Sequence, residues 1–335
     1  PSITFAYDHR GKYQTGGAYM SVFLAKRFLT FVATLLGASI VVFLVLEILP
    51  GDPSMTLLGA DADEEAYAAL RLKLGLDDPA FVRYFEWMWG MFHGDFGVSY
   101  AYSVPVMELV WGSLGLTVPL AMFAMAITVV VALGLGVFAA SRHNKPGDYV
   151  IMTISQLGIA VPNFWFGILL ILFFAVNLGW FKAGGFIQWE DGIWLALKSL
   201  FLPAIALATV QAAILARTTR SAVLETFRED YVRTARAKGL TRSQTLWRHV
   251  LRNALIPVIT VMGLQFANLL AGTIVIESVF SLPGLGKLVF QAIANRDMPV
   301  VKDIVLLLAG MVIVVNFIVD VTYAVIDPRL KVHDV

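Results

Sequence analysis

The sequence predicts an all-α polytopic membrane protein with six transmembrane helices. Hydrophobic residues make up 58% of its 335 positions and charged residues only 15%, against roughly 25% charged residues in soluble domains. The mean hydropathy is +0.75. A hydrocarbon core about 30 Å thick needs roughly 20 helical residues to cross it, and apolar runs of about that length recur along the chain.

Six runs lack Lys, Arg and Glu, and only the last contains an Asp, Asp320. They are residues 28–46, 109–141, 149–181, 199–216, 253–276 and 304–326. The second and third runs are too long for one straight span. Pro119 and Pro162 inside them predict a kink or an interfacial extension in each. Five spans is the conservative count.

Lys and Arg are denser on one side of the predicted membrane. If the N-terminus is cytoplasmic, the cytoplasmic segments carry 17 of them in 79 positions, against 8 in 106 on the outer side. The positive-inside rule therefore predicts that both termini are cytoplasmic. Residues 1–19 are polar, and Met20 opens a short basic lead into the first run. We expect 1–19 to be an N-terminal extension, of either native or non-native origin, and 20–335 to be the transmembrane domain.

Between the first two runs, residues 50–108 form an acidic segment that we expect on the outer side. Its pattern predicts an amphipathic helix near 62–74 and an aromatic helix near 80–93.

Composition excludes several kinds of site. The chain has no cysteine and its five histidines are scattered outside the spans, so we predict no metal site and no catalytic residues. Gly286-Lys287 is followed by Leu288, which excludes a P-loop. Basic and acidic residues nearly balance, at 25 and 24, which gives no support for nucleic-acid binding. Any ATP that this protein uses must be bound by another chain.

The richest cytoplasmic segment is the loop 217–252. Phe227, Tyr231 and Lys238 follow helical spacing, and Gly239 suits the left-handed position after a helix end. Thr241 to Gln244 has the pattern of a capping box. Small residues beside Gly239 would let another protein approach the backbone, so the segment is either a docking helix or a solvated basic loop.

Within this loop, DYVRTARAKGL (230–240) and RHVLRNALIPV (248–258) resemble the EAA loop of ABC importer permeases, in the dipeptide/oligopeptide version. The generic motif has Glu where Thr234 stands, a departure that matches the peptide-permease variant. Further segments resemble the B-type subunit of that family: LPGDP (49–53), VPNFWFGILLI (161–171), IESVFSLPGLGKL (276–288), NRDMPVVKD (295–303) and DPRL (327–330).

This resemblance implies a type I ABC importer permease fold in a bacterial inner (plasma) membrane. It implies a second, homologous C-type permease, two ATP-binding subunits that bind ATP and Mg, and an extracytoplasmic substrate-binding protein. This chain would hold no cofactor, catalyse no reaction and contact membrane lipid. The implied ATPase-coupling helix comprises Asp230, Tyr231, Thr234, Ala235, Ala237, Lys238, Gly239 and Leu240.

The outer segment 277–303 is a candidate scoop or lid. Ser281 and Pro283 predict a helix start, and Leu285, Val289 and Ile293 would give that helix an apolar face. A fixed cap on the bundle is the alternative. The candidate lid residues are Ser281, Pro283, Gly284, Leu285 and Gly286.

Polar residues inside the spans are candidates for the translocation path, or for helix–helix hydrogen bonds. They are Gln156, Asn163, Gln211, Gln265, Asn268 and Asn316. Substrates carried by similar permeases include dipeptides, longer peptides, glutathione, opines, sugars and metal chelates. The alternatives to a permease subunit are a self-contained secondary carrier or channel, a membrane-embedded enzyme and a scaffold.

Overall fold

The computed structural model describes the backbone of residues 6–7, 13–14, 16–48, 53–59 and 63–326. Side chains are described from residue 25 to residue 322, except 53 and 56, within those ranges. DPRL and all of LPGDP but its last residue therefore lie outside the described residues, as do most of residues 1–19.

Near the N-terminus, strands β1 (Ala6–Tyr7) and β2 (Tyr13–Gln14) pair antiparallel, with Ala6 opposite Gln14. Every other regular element that the structure describes is helical. The first helix, α1, runs Gly16–Ile48. The remaining α-helices are α2 (Pro53–Leu58), α3 (Glu64–Lys73), α4 (Ala80–Phe92), α5 (Val106–Ser141), α6 (Pro146–Ala160), α7 (Asn163–Leu170), α8 (Ile193–Thr226), α9 (Asp230–Ala237), α10 (Arg242–Thr245), α11 (Leu251–Val279), α12 (Leu285–Ala294) and α13 (Met298–Ile326).

Three short irregular helices complete the described chain. A π-helical segment, Ile171–Asn177, continues α7, and another, Leu246–Val250, joins α10 to α11. A 3-10 turn, Trp189–Asp191, precedes α8. The two helices predicted in the outer acidic segment are confirmed as α3 and α4.

Five helices in the described residues are long and apolar enough to span a membrane, and a bent pair makes six. Four of these spans correspond to α1, α5, α8 and α13, one helix each. The fifth is formed by α10 and α11 with the π-helical segment between them. The predicted count of six, with five as the floor, is confirmed. Helix α5 continues unbroken past Pro119. Its 36 residues extend about 54 Å, so it projects beyond the hydrocarbon core.

The run 149–181 bends more sharply than a kink. Helices α6 and α7 meet at 100°. Val161, which precedes Pro162, has an extended ψ of 122°, because the proline ring disfavours helical geometry in the residue before it.

Helix α8 is the centre of the bundle. In its most apolar stretch 61% of residues are buried, against 6% in α1. It packs along α5, where Gly136 allows close contact: a Cβ there would lie 2.7 Å from the Ala216 carbonyl oxygen. Buried side chains form three clusters. The one at the α9 end of the bundle, which we call the inner cluster, includes Leu215, Val223, Val232, Leu246 and Val250.

Candidate functional site

Helix α9 follows α8 after a three-residue break at 227–229. Glu229 has an extended ψ of 145° and occupies the N-cap position, and Asp230 opens the helix. Both carboxylates lie at the positive end of the helix dipole, where negative charge is favourable. The predicted coupling residues 230–240 therefore form one short helix and the turn that ends it.

Two buried residues fix α9 to the bundle. Val232 and Ala235 are the buried residues of this helix, and Val232 joins the inner cluster. Tyr231 and Lys238 are exposed, so the predicted helix is present but the positions that share this spacing do not mark its buried side. The break at 227–229 shifts the helical phase and turns Val232 inwards instead. The Tyr231 hydroxyl accepts a hydrogen bond from Asn253 Nδ2 at 2.7 Å.

The end of α9 has the predicted geometry. Gly239 has φ +92°, its amide donates to the Arg236 carbonyl at 3.0 Å, and the Leu240 amide donates to the Ala235 carbonyl at 3.4 Å. These two bonds define a Schellman motif. Thr241 and Gln244 then cap α10 reciprocally, which confirms the predicted capping box.

The exposed surface around α9 combines small side chains with positive charge. Thr234, Ala237 and Gly239 are exposed. A cavity of about 600 Å³ between α9 and α10 is lined by Arg233, Arg236 and Arg242, among others. Arg233 also pairs with Asp230 at 3.3 Å. This surface can receive a protein partner at close range.

A buried ion pair links α8 to α6 near the same end of the bundle. Asp148 is 1% exposed and accepts two hydrogen bonds from the Arg220 guanidinium, at 2.6 and 2.7 Å. The Asn144 amide donates to it at 3.0 Å. His143 Nδ1 lies 3.1 Å from Arg220. No local sequence pattern indicates this cluster, because its partners lie 72 positions apart.

Two of the six candidate path residues come together. Gln265 Nε2 donates to the Gln211 backbone carbonyl at 3.2 Å, across α11 and α8. The side-chain oxygens Oε1 of both glutamines are buried without a hydrogen-bond partner among the described residues. Polar acceptors without partners are costly inside a bilayer, so this pair differs from an ordinary interhelical hydrogen bond.

The structure does not gather the other four candidates. Asn163 Oδ1 accepts the Phe164 amide at 2.8 Å, while Gln156 and Asn268 are exposed. Asn316 lines a separate cavity of about 150 Å³ between α1 and α13. Asp320 lies in that cavity and pairs with Arg27 at 3.1 Å.

The predicted start of the outer helix is wrong by two to four residues. Ser281 instead terminates α11 in the left-handed region, with φ +52°. Helix α12 begins at Leu285 with Gly284 as its N-cap. Leu285 and Val289 are buried, as predicted, but Ile293 is 54% exposed. Ala292 takes its place on the inner face.

A buried carboxylate joins α11, α12 and α5. Glu277 accepts hydrogen bonds from the Thr117 hydroxyl and from the Gly286 amide, both at 2.7 Å. The Thr117 hydroxyl also accepts from the Leu285 amide at 2.9 Å. The first amides of α12 are thereby satisfied, since a helix start leaves them without intrahelical partners.

This network explains the glycines of the LPGLG stretch. A Cβ at Gly284 would overlap the Glu277 carboxyl group, and one at Gly286 would lie 2.8 Å from the Ile274 carbonyl oxygen. Leu282 is also fully buried, whereas Pro283 is exposed. Together these contacts hold the start of α12 against the bundle.

Two family profiles match this chain over most of its length. Residues 20–121 match the N-terminal region of binding-protein-dependent transport system membrane components. Residues 132–332 match the binding-protein-dependent transport system inner membrane component itself. The chain belongs to this family. It is therefore a membrane-embedded transport subunit, a permease of the inner membrane, and the secondary-carrier alternative is set aside.

Curated relatives align along nearly the whole permease. A putative peptide transport system permease of Brucella abortus is 41% identical over 93% of this chain and 99% of the relative. The dipeptide permease of Alkalihalophilus pseudofirmus is 38% identical and the oligopeptide permease of Bacillus subtilis 39%, each over 93% of this chain and 100% of the relative.

Among solved structures, the inward-facing MetNI methionine ABC transporter matches with a TM-score of 0.56 and 19% identity. The match covers 66% of this chain and 97% of that chain. At that identity the likeness shows the fold alone, and that fold is the predicted type I ABC importer permease.

Proposed function

We propose that this permease forms half of the translocation pathway of an ATP-driven importer for peptides or similar small solutes. The observation that carries the proposal is the identity of 38–41% along nearly the whole chain to permeases named for peptide, dipeptide and oligopeptide transport. The pathway partner is a second, C-type permease. An extracytoplasmic binding protein delivers the substrate.

ATP and Mg are bound by two ATPase subunits on the cytoplasmic side, and α9 is the helix that docks on one of them. Its two buried residues fix it to the bundle, while small and basic side chains face outwards. Because α9 continues from α8, the most buried helix, motion of a docked ATPase would reach the bundle directly. The Asp148–Arg220 pair extends the same rigid link to α6.

The test is the ATPase activity of the reconstituted complex, with and without a peptide-loaded binding protein. Gly239→Val adds bulk at the docking turn and should abolish stimulation while the complex still assembles. Gly179→Val is the matched control, because Gly179 also has a positive φ, +64°, and open space around it. It lies after α7, at the opposite membrane face, and should keep its stimulation.

Normal stimulation in Gly239→Val would refute the coupling role of α9. Equal loss in both variants would mean that left-handed strain alone disables the complex, which also refutes it. If peptides fail to stimulate the parent complex but another solute succeeds, only the substrate class is wrong.

Both termini are proposed to be cytoplasmic. The chain has no cysteine, so single cysteines report topology cleanly. A membrane-impermeant thiol reagent added to spheroplasts should label Glu65→Cys in α3 but not Ser243→Cys in α10. The reverse pattern would invert the orientation.

Of the two alternatives for α12, the buried contacts at Glu277 favour a fixed cap on the bundle and argue against a moving lid. Val289 is buried and its neighbour Phe290 is exposed, so single cysteines at these two positions distinguish the alternatives. A cap leaves 289 unlabelled with and without ATP, while 290 labels in both states. ATP-dependent labelling at 289 would establish the lid instead.

The proposed path passes Gln211 and Gln265, whose free acceptors can meet water or a substrate amide. We expect Gln265→Leu to lower the transport rate severalfold without changing assembly. Asn316→Leu, in the separate cavity, is the control and should transport normally.

A further inference from the structure

Helix α4 presents an unusual aromatic stripe. Phe81, Phe85, Trp89 and Phe92 are each at least 65% exposed. At 100° per residue, these four positions fall within an arc of about 80° on one side of the helix. The helix belongs to the acidic segment 50–108, where so much exposed aromatic surface is unexpected.

The opposite side of α4 packs against the outer halves of two spanning helices. The Tyr84 hydroxyl lies 2.8 Å from Ser39 Oγ in α1, and Trp87 Nε1 donates to Asp303 in α13 at 2.6 Å. Ser39 lies seven residues before the end of the charge-free run 28–46, or about 10 Å inside it. Contact at that depth places α4 beside the apolar part of α1.

The charges of α4 avoid the aromatic stripe. Its basic residue Arg83 and its acidic residue Glu86 line a cavity of about 420 Å³ that Lys302 also lines. Arg83 pairs with Glu47, next to the outer end of α1. The helix therefore carries both charges on the side that faces this cavity and the end of α1, and its aromatic stripe on a different side.

We propose that α4 lies within the outer leaflet and that its aromatic stripe contacts lipid acyl chains. The stripe continues a lipid-facing surface, since Val41 and Val45 of α1 are more than half exposed in the apolar run beside it. An amphipathic helix with Phe and Trp on one face is suited to the boundary between headgroups and acyl chains. The proposal needs only the membrane location of the family and is independent of α9 and of the substrate.

Spin labels at single cysteines test it, in the full chain with its co-purifying subunits. Vesicles of phosphatidylethanolamine and phosphatidylglycerol supply the bilayer. Phe85→Cys and Trp89→Cys probe the stripe, Ile40→Cys in α1 is the lipid reference, and Glu65→Cys in α3 is the aqueous reference. We expect labels at 85 and 89 to collide with oxygen severalfold more, and with a nickel chelate severalfold less, than the label at 65.

Two results would overturn the proposal. Nickel-chelate collisions at 85 and 89 equal to those at 65 would place the stripe in water. Low collision rates with both oxygen and the nickel chelate would mean that a protein covers the stripe. Repeating the measurement with and without the binding protein would show whether the binding protein is the one that covers it. Phe81→Cys replaces any variant of the stripe that fails to assemble.

Discussion

Two helix ends of this permease share a hydrogen-bonding pattern but lie in different surroundings. At the end of α9, the Leu240 amide donates to the Ala235 carbonyl; at the end of α11, the Leu282 amide donates to the Glu277 carbonyl at 2.8 Å. Gly239 occupies the left-handed position in the first turn, and Ser281 occupies it in the second. A Cβ at Gly239 would meet no atom of the described residues within 4 Å, whereas the second turn leads into the buried Glu277 network.

The difference shows what a local motif does and what a buried network adds. The α9 turn needs residues only a few positions apart, and its exposed surface is free to meet a partner. The α11 turn places the start of α12 where its first amides bond to Glu277 and Thr117, which lie 160 positions apart. Substitutions at the first turn should therefore impair coupling, and those beyond the second should impair folding.

The largest effect is expected at Gly286. In Gly286→Ala the new Cβ would collide with the backbone of Ile274, which cannot move aside as a side chain can. Overpacking of this kind costs about 1–3 kcal/mol and occasionally more, so we expect little folded protein. The measurement is the yield and thermal midpoint of the purified complex. Gly134→Ala in α5 is the control and should melt at or above the parent, because a Cβ there would have no atom within 4 Å in the part of the chain that the structure describes. A normal yield of Gly286→Ala would show that α12 is not held tightly.

A smaller loss is expected for Glu277→Gln. The amide keeps the shape but can accept through only one oxygen, so either Thr117 or Gly286 loses its acceptor. A buried group without its partner costs about 1–3 kcal/mol. Thermal unfolding should start several degrees lower than in the parent. Glu225→Gln, on the exposed side of α8, should melt with the parent. If both variants melt together, the Glu277 contacts do not stabilise the fold.

The same contrast explains how much could be predicted from sequence. The spans were predictable because apolarity averages over about 20 neighbouring residues, and the Gly239 turn and Thr241 capping box because their partners are close in sequence. The α12 start was misplaced because Pro283 signals a helix start, while the carboxylate that caps the helix is supplied by α11. Asp148 and Arg220 carry no local signal at all.

The polar path candidates show the limit in another way. Residue type alone selected six polar side chains, but only three-dimensional contact separates the Gln211–Gln265 pair from Asn316, which lies in another cavity. The aromatic helix α4 was predicted as a helix, yet its depth beside α1 depends on tertiary contacts such as Tyr84 with Ser39.

At the α9 turn itself, Gly239→Ala should cost stability only through backbone strain. A side chain in the left-handed region costs about 1 kcal/mol, and no described residue lies close enough to oppose it here. We expect Gly239→Ala to lower the thermal midpoint by a few degrees at most. The midpoint of Gly239→Asn should lie between those of the parent and of Gly239→Ala, because Asn tolerates this region better. A fall as large as that of Gly286→Ala would mean that the α9 turn is packed, contrary to its open surroundings.

The smallest change is expected at Ser281 and has the opposite sign. Ser281 is exposed and holds φ +52°, a conformation that glycine adopts without steric cost. Ser281→Gly removes that cost but gives the unfolded chain more freedom, so the net gain should be about 0.5 kcal/mol. Ser278→Gly, inside α11 and also exposed, should instead lower the thermal midpoint, because glycine is unfavourable within a helix. If both glycine variants destabilise equally, the turn at 281 is not strained, and α12 is held in place by the Glu277 network alone.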